Sequence, residues 1–143
     1  MRGRVRSPLS HRRTFDLLRT HLLCERPLSG EPEADARTLL DALAAGAAWL
    51  ACPCVAPAAG SRLWAEGPDG GVVPMGGEAP AGRAVLRVRL PREADVRVLR
   101  NGAAVREART AALDVDIAEP GAYRVEARIT GRLWLLSNPV YLR

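Results

Sequence analysis

The sequence predicts an α+β chain: two N-terminal helices, then an antiparallel Ig-like β-sandwich of about six or seven strands. Three observations carry this. Apolar residues recur at helical spacing before residue 46, they alternate at period two after residue 84, and turn signals separate the later segments at short intervals.

The first helix is expected over residues 11–23, where Phe15, Leu18 and Leu22 share a face and Leu17 widens the stripe, with Pro27 ending it. The second runs from Glu33 to Ala45, with Leu39, Leu40 and Leu43 on its apolar side. Glu33 and Asp35 suit the positive end of its dipole, and Gly46 is placed to terminate it. Ala47–Ala51 reads as a short buried strand, and Cys52–Gly60, with two prolines, as a stiff connector. Leu63–Ala65 is a strand, and Gly67–Gly82 a Gly/Pro-rich loop with little structure of its own.

From Ala84 the strands come regularly. Leu86, Val88 and Leu90 alternate with arginines, as do Val96 and Val98, and Asn101-Gly102 is a strong hairpin signal. Leu113, Val115 and Ile117 alternate with Asp114 and Asp116. After Pro120-Gly121, Tyr123, Val125, Ala127 and Ile129 alternate with Arg124, Glu126 and Arg128. Thr130-Gly131 reverses the chain, residues 132–136 return, and Ser137-Asn138-Pro139 delivers Val140–Leu142 onto the sheet. The division expected is a helical segment over 1–58 and a sandwich over 59–143.

Composition fits a folded chain with an aliphatic core: 143 residues, 48% hydrophobic, with a single Phe. All 21 basic residues are arginine. Beside heavy Ala, Gly and Pro usage, that points to coding bias, so the pI near 10.0 is discounted as functional evidence. Residues 1–30 carry seven Arg against Asp16 and Glu25, which is the whole net charge of +5. Such an arm can meet phosphate backbones, but it lacks the aromatic residues that stack on bases, so no nucleic-acid partner is expected. No apolar core of a signal peptide and no membrane-length apolar run is present, and three unevenly spaced cysteines do not make a disulfide framework. A reducing, cytoplasmic setting and no membrane partner are expected.

Residues that carry chemistry are sparse. His11 and His21 stand ten positions apart with no partner motif, too little for a metal centre that activates water. Cys52-Pro53-Cys54 lacks the spacing and the further ligands of a zinc knuckle, and reads as packed, inert thiols. No nucleophile elbow occurs, and the glycines at 67, 70, 71, 76 and 77 precede neither Lys-Ser/Thr nor a helix, so they are not a phosphate loop. No catalytic, cofactor-binding or metal-binding residue is assigned.

The tail adds a resemblance. Gly121-x-Tyr-Arg-Val-Glu126 followed by Trp134-x-x-Ser-Asn-Pro-x-Tyr141 is similar to the C-terminal end of PHP-type (polymerase and histidinol phosphatase) metal-dependent phosphoesterases. Phe15–His21, Leu28–Gly30, Leu39–Gly46 with Trp49, Trp64–Glu66, and Leu86–Leu90 with Pro91 extend it over roughly residues 14–143. The resemblance implies a parent whose barrel binds divalent metals through His-x-His, further acidic and His ligands, and Asp-x-His. None of those motifs stands in this sequence. The expectation is a non-catalytic C-terminal part of such an enzyme, a truncated or split gene product, without cofactor of its own. Its partner would be the missing barrel part or another copy through the N-terminal helices. The alternative is a stand-alone Ig-like module that binds a protein or carbohydrate.

Overall fold

Extended backbone continues through Pro91, although the buried/exposed alternation is interrupted there. In the computed structural model, which describes residues 17–143, Ala84–Arg100 form one bent strand and Ala103–Ile117 its hairpin partner. In chain order the elements are β1 (Arg19–Leu22), α1 (Pro32–Ala44), β2 (Ala48–Ala51), β3 (Arg62–Glu66), β4 (Val72–Pro74), β5 (Glu78–Ala79), β6 (Ala84–Arg100), β7 (Ala103–Ile117), β8 (Gly121–Ile129), β9 (Arg132–Ser137) and β10 (Val140–Leu142). All ten strands belong to one sheet, ordered β1-β2-β9-β8-β6-β3-β4, with β7 along β6, and β10 beside both β8 and β5. Every ladder is antiparallel except β5 with β10.

The bend in β6 shapes the molecule. Its register against β7 jumps between Arg89 and Ala94, which face Ala112 and Thr110. Leu90–Glu93 thus oppose Ala111 alone, and Pro91, which has no N–H for the ladder, stands inside this break. Before it, Val85–Arg89 pair with β3; after it, Asp95–Arg100 pair with β8. The sheet curls into a half-barrel around Trp134, Leu86, Val88, Val96, Val98, Val125, Val140 and Leu142, all fully buried. The Trp134 indole N–H donates to the Ala56 carbonyl at 2.8 Å, so the connector of residues 52–60 caps the core.

Two expectations are corrected. Residues 19–22 are an edge strand, not the end of a helix, because Arg19–Leu22 pair residue for residue with Ala51–Ala48; residues 11–16, including His11 and Phe15, lie outside the described residues. The Ig-like sandwich is also absent: because β6 serves β3 and β8 in turn, the strands join one curled sheet rather than two stacked ones. Within the expected loop of 67–82, β4 and β5 form short ladders with β3 and β10. Residues 48–51 join the same sheet through β9, so both sides of position 58 share one core.

The second helix stands where expected. Gly46 adopts φ +68° past its end and donates its N–H to the Leu43 carbonyl. At its start the N-cap residue Glu31 makes no capping bond with its own side chain. Instead the Asp35 carboxylate reaches back and accepts the Ser29 N–H at 2.7 Å, the Ser29 hydroxyl at 2.9 Å and the Gly30 N–H at 2.9 Å.

The alternation of β8 gives a direct test. Val125 is 1% exposed. Val125→Asp forfeits roughly 1.5–3 kcal/mol of side-chain burial and adds an unpaired carboxylate in an aliphatic core. Thermal melting should lose its cooperative transition. Arg124 lies on the opposite face, paired with Glu126 at 2.9 Å, and Arg124→Asp should cost under about 1 kcal/mol. Equal damage from the two substitutions would reverse the assignment of faces.

Candidate functional site

The residues singled out by chemistry are engaged in structure. His21 sits opposite Trp49 in the β1–β2 ladder and stacks on it, ring centroids 5.2 Å apart and planes 7° from parallel. Cys52 begins a turn, its carbonyl accepting the Val55 N–H at 2.9 Å, while Cys54 points into solvent, and Cys24, Cys52 and Cys54 are all free thiols. The glycines at 67, 70 and 71 form the tight turn between β3 and β4, and Asp69 already fills it: its carboxylate accepts the Gly71 N–H at 3.1 Å. A phosphate would meet that negative charge. Among the described residues no three His, Cys, Asp or Glu side chains converge as metal ligands. The described residues therefore do not supply the ligand set of a multinuclear metal hydrolase.

A groove of about 440 Å³ lies beside Glu66, Arg83, Arg87 and Asp116. Its central cation is already committed. Arg87 bonds both Glu66 and Asp114, which raises its pKa, Glu66 foremost. Asp114 is held below its ordinary carboxylate value chiefly by the Arg89 hydrogen bond, then by the Arg89 and Arg87 charges. Arg89 in turn covers the Trp64 ring at 5.6 Å. The charges on this face balance one another.

The unbalanced surface is at the other end of the sheet. On α1 only Ala42 is buried, while Leu40 is 63% exposed, Leu43 54% and Leu39 37%. Leu28 ahead of the helix, Leu50 on β2, and Leu17 and Leu18 before β1 are also exposed. Among the described strands β1 pairs with β2 alone, which makes it an edge strand of the described sheet. Between α1 and the chain leaving β1, a cleft of about 500 Å³ is lined by Leu23, Cys24, Thr38, Asp41, Ala42 and Met75. An edge strand beside a stripe of leucines offers both backbone pairing and apolar burial, the two things a docking partner needs.

The helix that bears these leucines is fixed at its C-terminal end. Gly76 approaches its C-terminus so closely that a Cβ there would lie 2.0 Å from the Ala45 carbonyl oxygen, and Asn138 donates its side-chain N–H to the Gly46 carbonyl at 3.0 Å. Helical spacing reveals the leucine stripe in the sequence; the edge position of β1 is invisible there, because it depends on which strand pairs with which.

No helix among the described residues is long and apolar enough to cross a membrane. No protein-family model, no curated protein and no solved structure matches this chain.

Two outcomes follow from this geometry. Leu40→Gln with Leu43→Gln should leave the melting free energy within about 0.5 kcal/mol of the parent, since surface changes rarely exceed this; a loss of core size in thermal melts would show these leucines to be packed. The Ser29 N–H foremost, with the Ser29 hydroxyl and the Gly30 N–H, holds the Asp35 carboxyl below its ordinary value. The folded pKa is the lower one, so the tether is complete above the unfolded carboxylate's pKa and is lost as pH falls through the folded value. The Ser29 and Gly30 amide resonances should titrate with Asp35 in NMR spectra, and in Asp35→Asn they should show no such transition.

Proposed function

We propose that this chain is a non-catalytic accessory region of a PHP-type metal-dependent phosphoesterase and docks onto the metal-bearing barrel through α1 and the edge strand β1. The single observation that carries the reading is the unburied stripe of Leu39, Leu40 and Leu43 beside β1, an edge strand that pairs with β2 alone among the described strands. A barrel wall supplies both complements, a strand edge and an apolar surface. The tail supports it from the sequence side, because Gly121-x-Tyr-Arg-Val-Glu126 and Trp134-x-x-Ser-Asn-Pro-x-Tyr141 resemble the end of that family.

In this reading the metals and the hydrolytic water belong to the barrel, and this chain covers apolar surface and orders the barrel's last strand. The test mixes the purified chain with a PHP-type barrel produced without its own C-terminal region. A one-to-one complex is expected in light scattering, and Leu40→Glu with Leu43→Glu should weaken it by more than about tenfold, since each docked leucine contributes on the order of 1.5–3 kcal/mol. The chain alone should not hydrolyse p-nitrophenyl phosphate with Mn²⁺ or Zn²⁺. Failure to form the complex, or metal-dependent hydrolysis that survives repurification of the chain alone, would sink the proposal.

A further inference from the structure

The hairpin partner β7 is the outermost strand along β6, and no strand among the described residues pairs with its other side. Its ladder with β6 shifts register between Val98 and Leu99, around Val105, and again between Arg89 and Ala94, at Ala111. Between the two shifts lies one uninterrupted run, Arg106–Thr110, centred on Ala108.

The outward face across β8, β6 and β7 carries charge in rows of alternating sign. One row reads Arg128, Asp95, Arg109; the next reads Glu126, Arg97, Glu107. Arg97 and Glu107 close an ion pair at 2.7 Å, and both rows end at the free edge on an exposed side chain. Arg109 forms no ion pair among the described residues. On the inward face the intervening row is apolar: Ala127, Val96, Ala108.

These rows are self-complementary under a two-fold axis. When a second copy lies antiparallel with Ala108 opposite Ala108, Glu107 faces Arg109 of that copy and Arg109 faces its Glu107. The first row then continues as Arg128, Asp95, Arg109, Glu107, Arg97, Glu126, with the sign alternating at every step across the junction. The inward row continues as Ala127, Val96, Ala108, Ala108, Val96, Ala127, apolar throughout. Opposite charges placed directly across a ladder attract, and like charges repel. Moving the centre by one residue breaks both matches: Arg109 then faces Arg109, or Glu107 faces Glu107, and Ala108 meets Thr110 or Arg106 instead of itself. We infer that the Arg106–Thr110 edge of β7 pairs with the same edge of a second copy, forming an isologous dimer through a continuous sheet.

The contact is a short ladder, so the dimer is reversible and concentration-dependent. It lies on β7, off the strand path that carries β1, and stands or falls independently of the barrel reading. The test is a charge-swap cycle read by sedimentation over a concentration series. The wild-type mass should rise from 15.4 kDa towards twice that value. Arg109→Glu sets Glu107 against a glutamate, and Glu107→Arg sets an arginine against Arg109. Each should raise the dissociation constant by at least about tenfold, because two facing pairs change sign in every dimer. An equimolar mixture of the two variants restores both attractions and should recover the dimer. Ala108→Cys, in a background with Cys24, Cys52 and Cys54 replaced by Ser, provides a second measurement. With dissolved oxygen as oxidant, the two thiols facing each other across the axis should give up two electrons and two protons and join as a disulfide-linked dimer. The same background with Ala108 kept should not form it. A wild type that stays monomeric, single variants that associate like the parent, a mixture that does not recover, or no cross-link from Ala108→Cys would each overturn the assignment. Association through the α1 leucines would survive both charge variants, so it is told apart from pairing at β7.

Discussion

The break in β6 is the constraint on which the rest of the structure depends. A strand of 17 residues that stayed straight would keep one neighbour on each side along its whole length. Because Leu90–Glu93 loop out around Pro91 against a single residue of β7, β6 changes direction and exchanges β3 for β8 as its partner. That exchange converts what alternation alone would allow as two sheets into one curled sheet with a continuous inner face. Leu86 and Val88 from one half and Val96 and Val98 from the other reach the same core, where the Trp134 indole fills the space and bonds the connector at Ala56.

The Ser137-Asn138-Pro139 segment closes the open side of this curl, and each residue does so through a bond. The Ser137 hydroxyl accepts the Val125 N–H at 2.8 Å, inside the core. Asn138 receives nothing from its neighbours in sequence; it donates its backbone N–H to Ala48 and its side-chain N–H to Gly46, tying the helix end to the sheet. The Pro139 carbonyl accepts the Gly76 N–H at 2.7 Å. Gly76, at φ +87°, fits there because any side chain would strike the last residues of the helix turn. A motif that resembles a family signature therefore has a mechanical role in this chain: it sets where α1 stands.

What could be read from the sequence was what local physics decides. The inward set of β8, the Asn101-Gly102 turn, the stop of α1 at Gly46 and the bonded indole of a buried Trp134 all follow from side-chain period, left-handed turns and hydrogen-bond satisfaction. What could not be read depends on partners far away in sequence. Leu18 and Leu22 keep helical spacing, yet residues 19–22 are extended because β2 offers them a ladder. β4 and β5 are hidden among glycines because strands this short exist only through β3 and β10. Alternation shows that each strand has a buried face but not what covers it, so it is as compatible with a sandwich as with the curled sheet. The candidate site divides the same way: the leucines of α1 were legible, the edge strand beside them was not.

Two of the described sheet's edges, β1 and β7, are blunted to different degrees, and the contrast bears on how such a chain stays specific. An edge strand invites any extended chain, and charged side chains are a usual protection. β1 is only four residues long, but it is flanked by exposed leucines, so little opposes an apolar partner that also offers a strand. β7 is far longer and would be the greater hazard, yet Arg106, Glu107 and Arg109 stand on its exposed run. Charges of one sign there would repel every copy of the chain; charges alternating about Ala108 repel most registers and admit one. The bulge at Val105 and the bend at Ala111 limit the flat part to the segment over which that match holds. The same device that protects the edge from indiscriminate pairing thus selects the single register in which two copies fit.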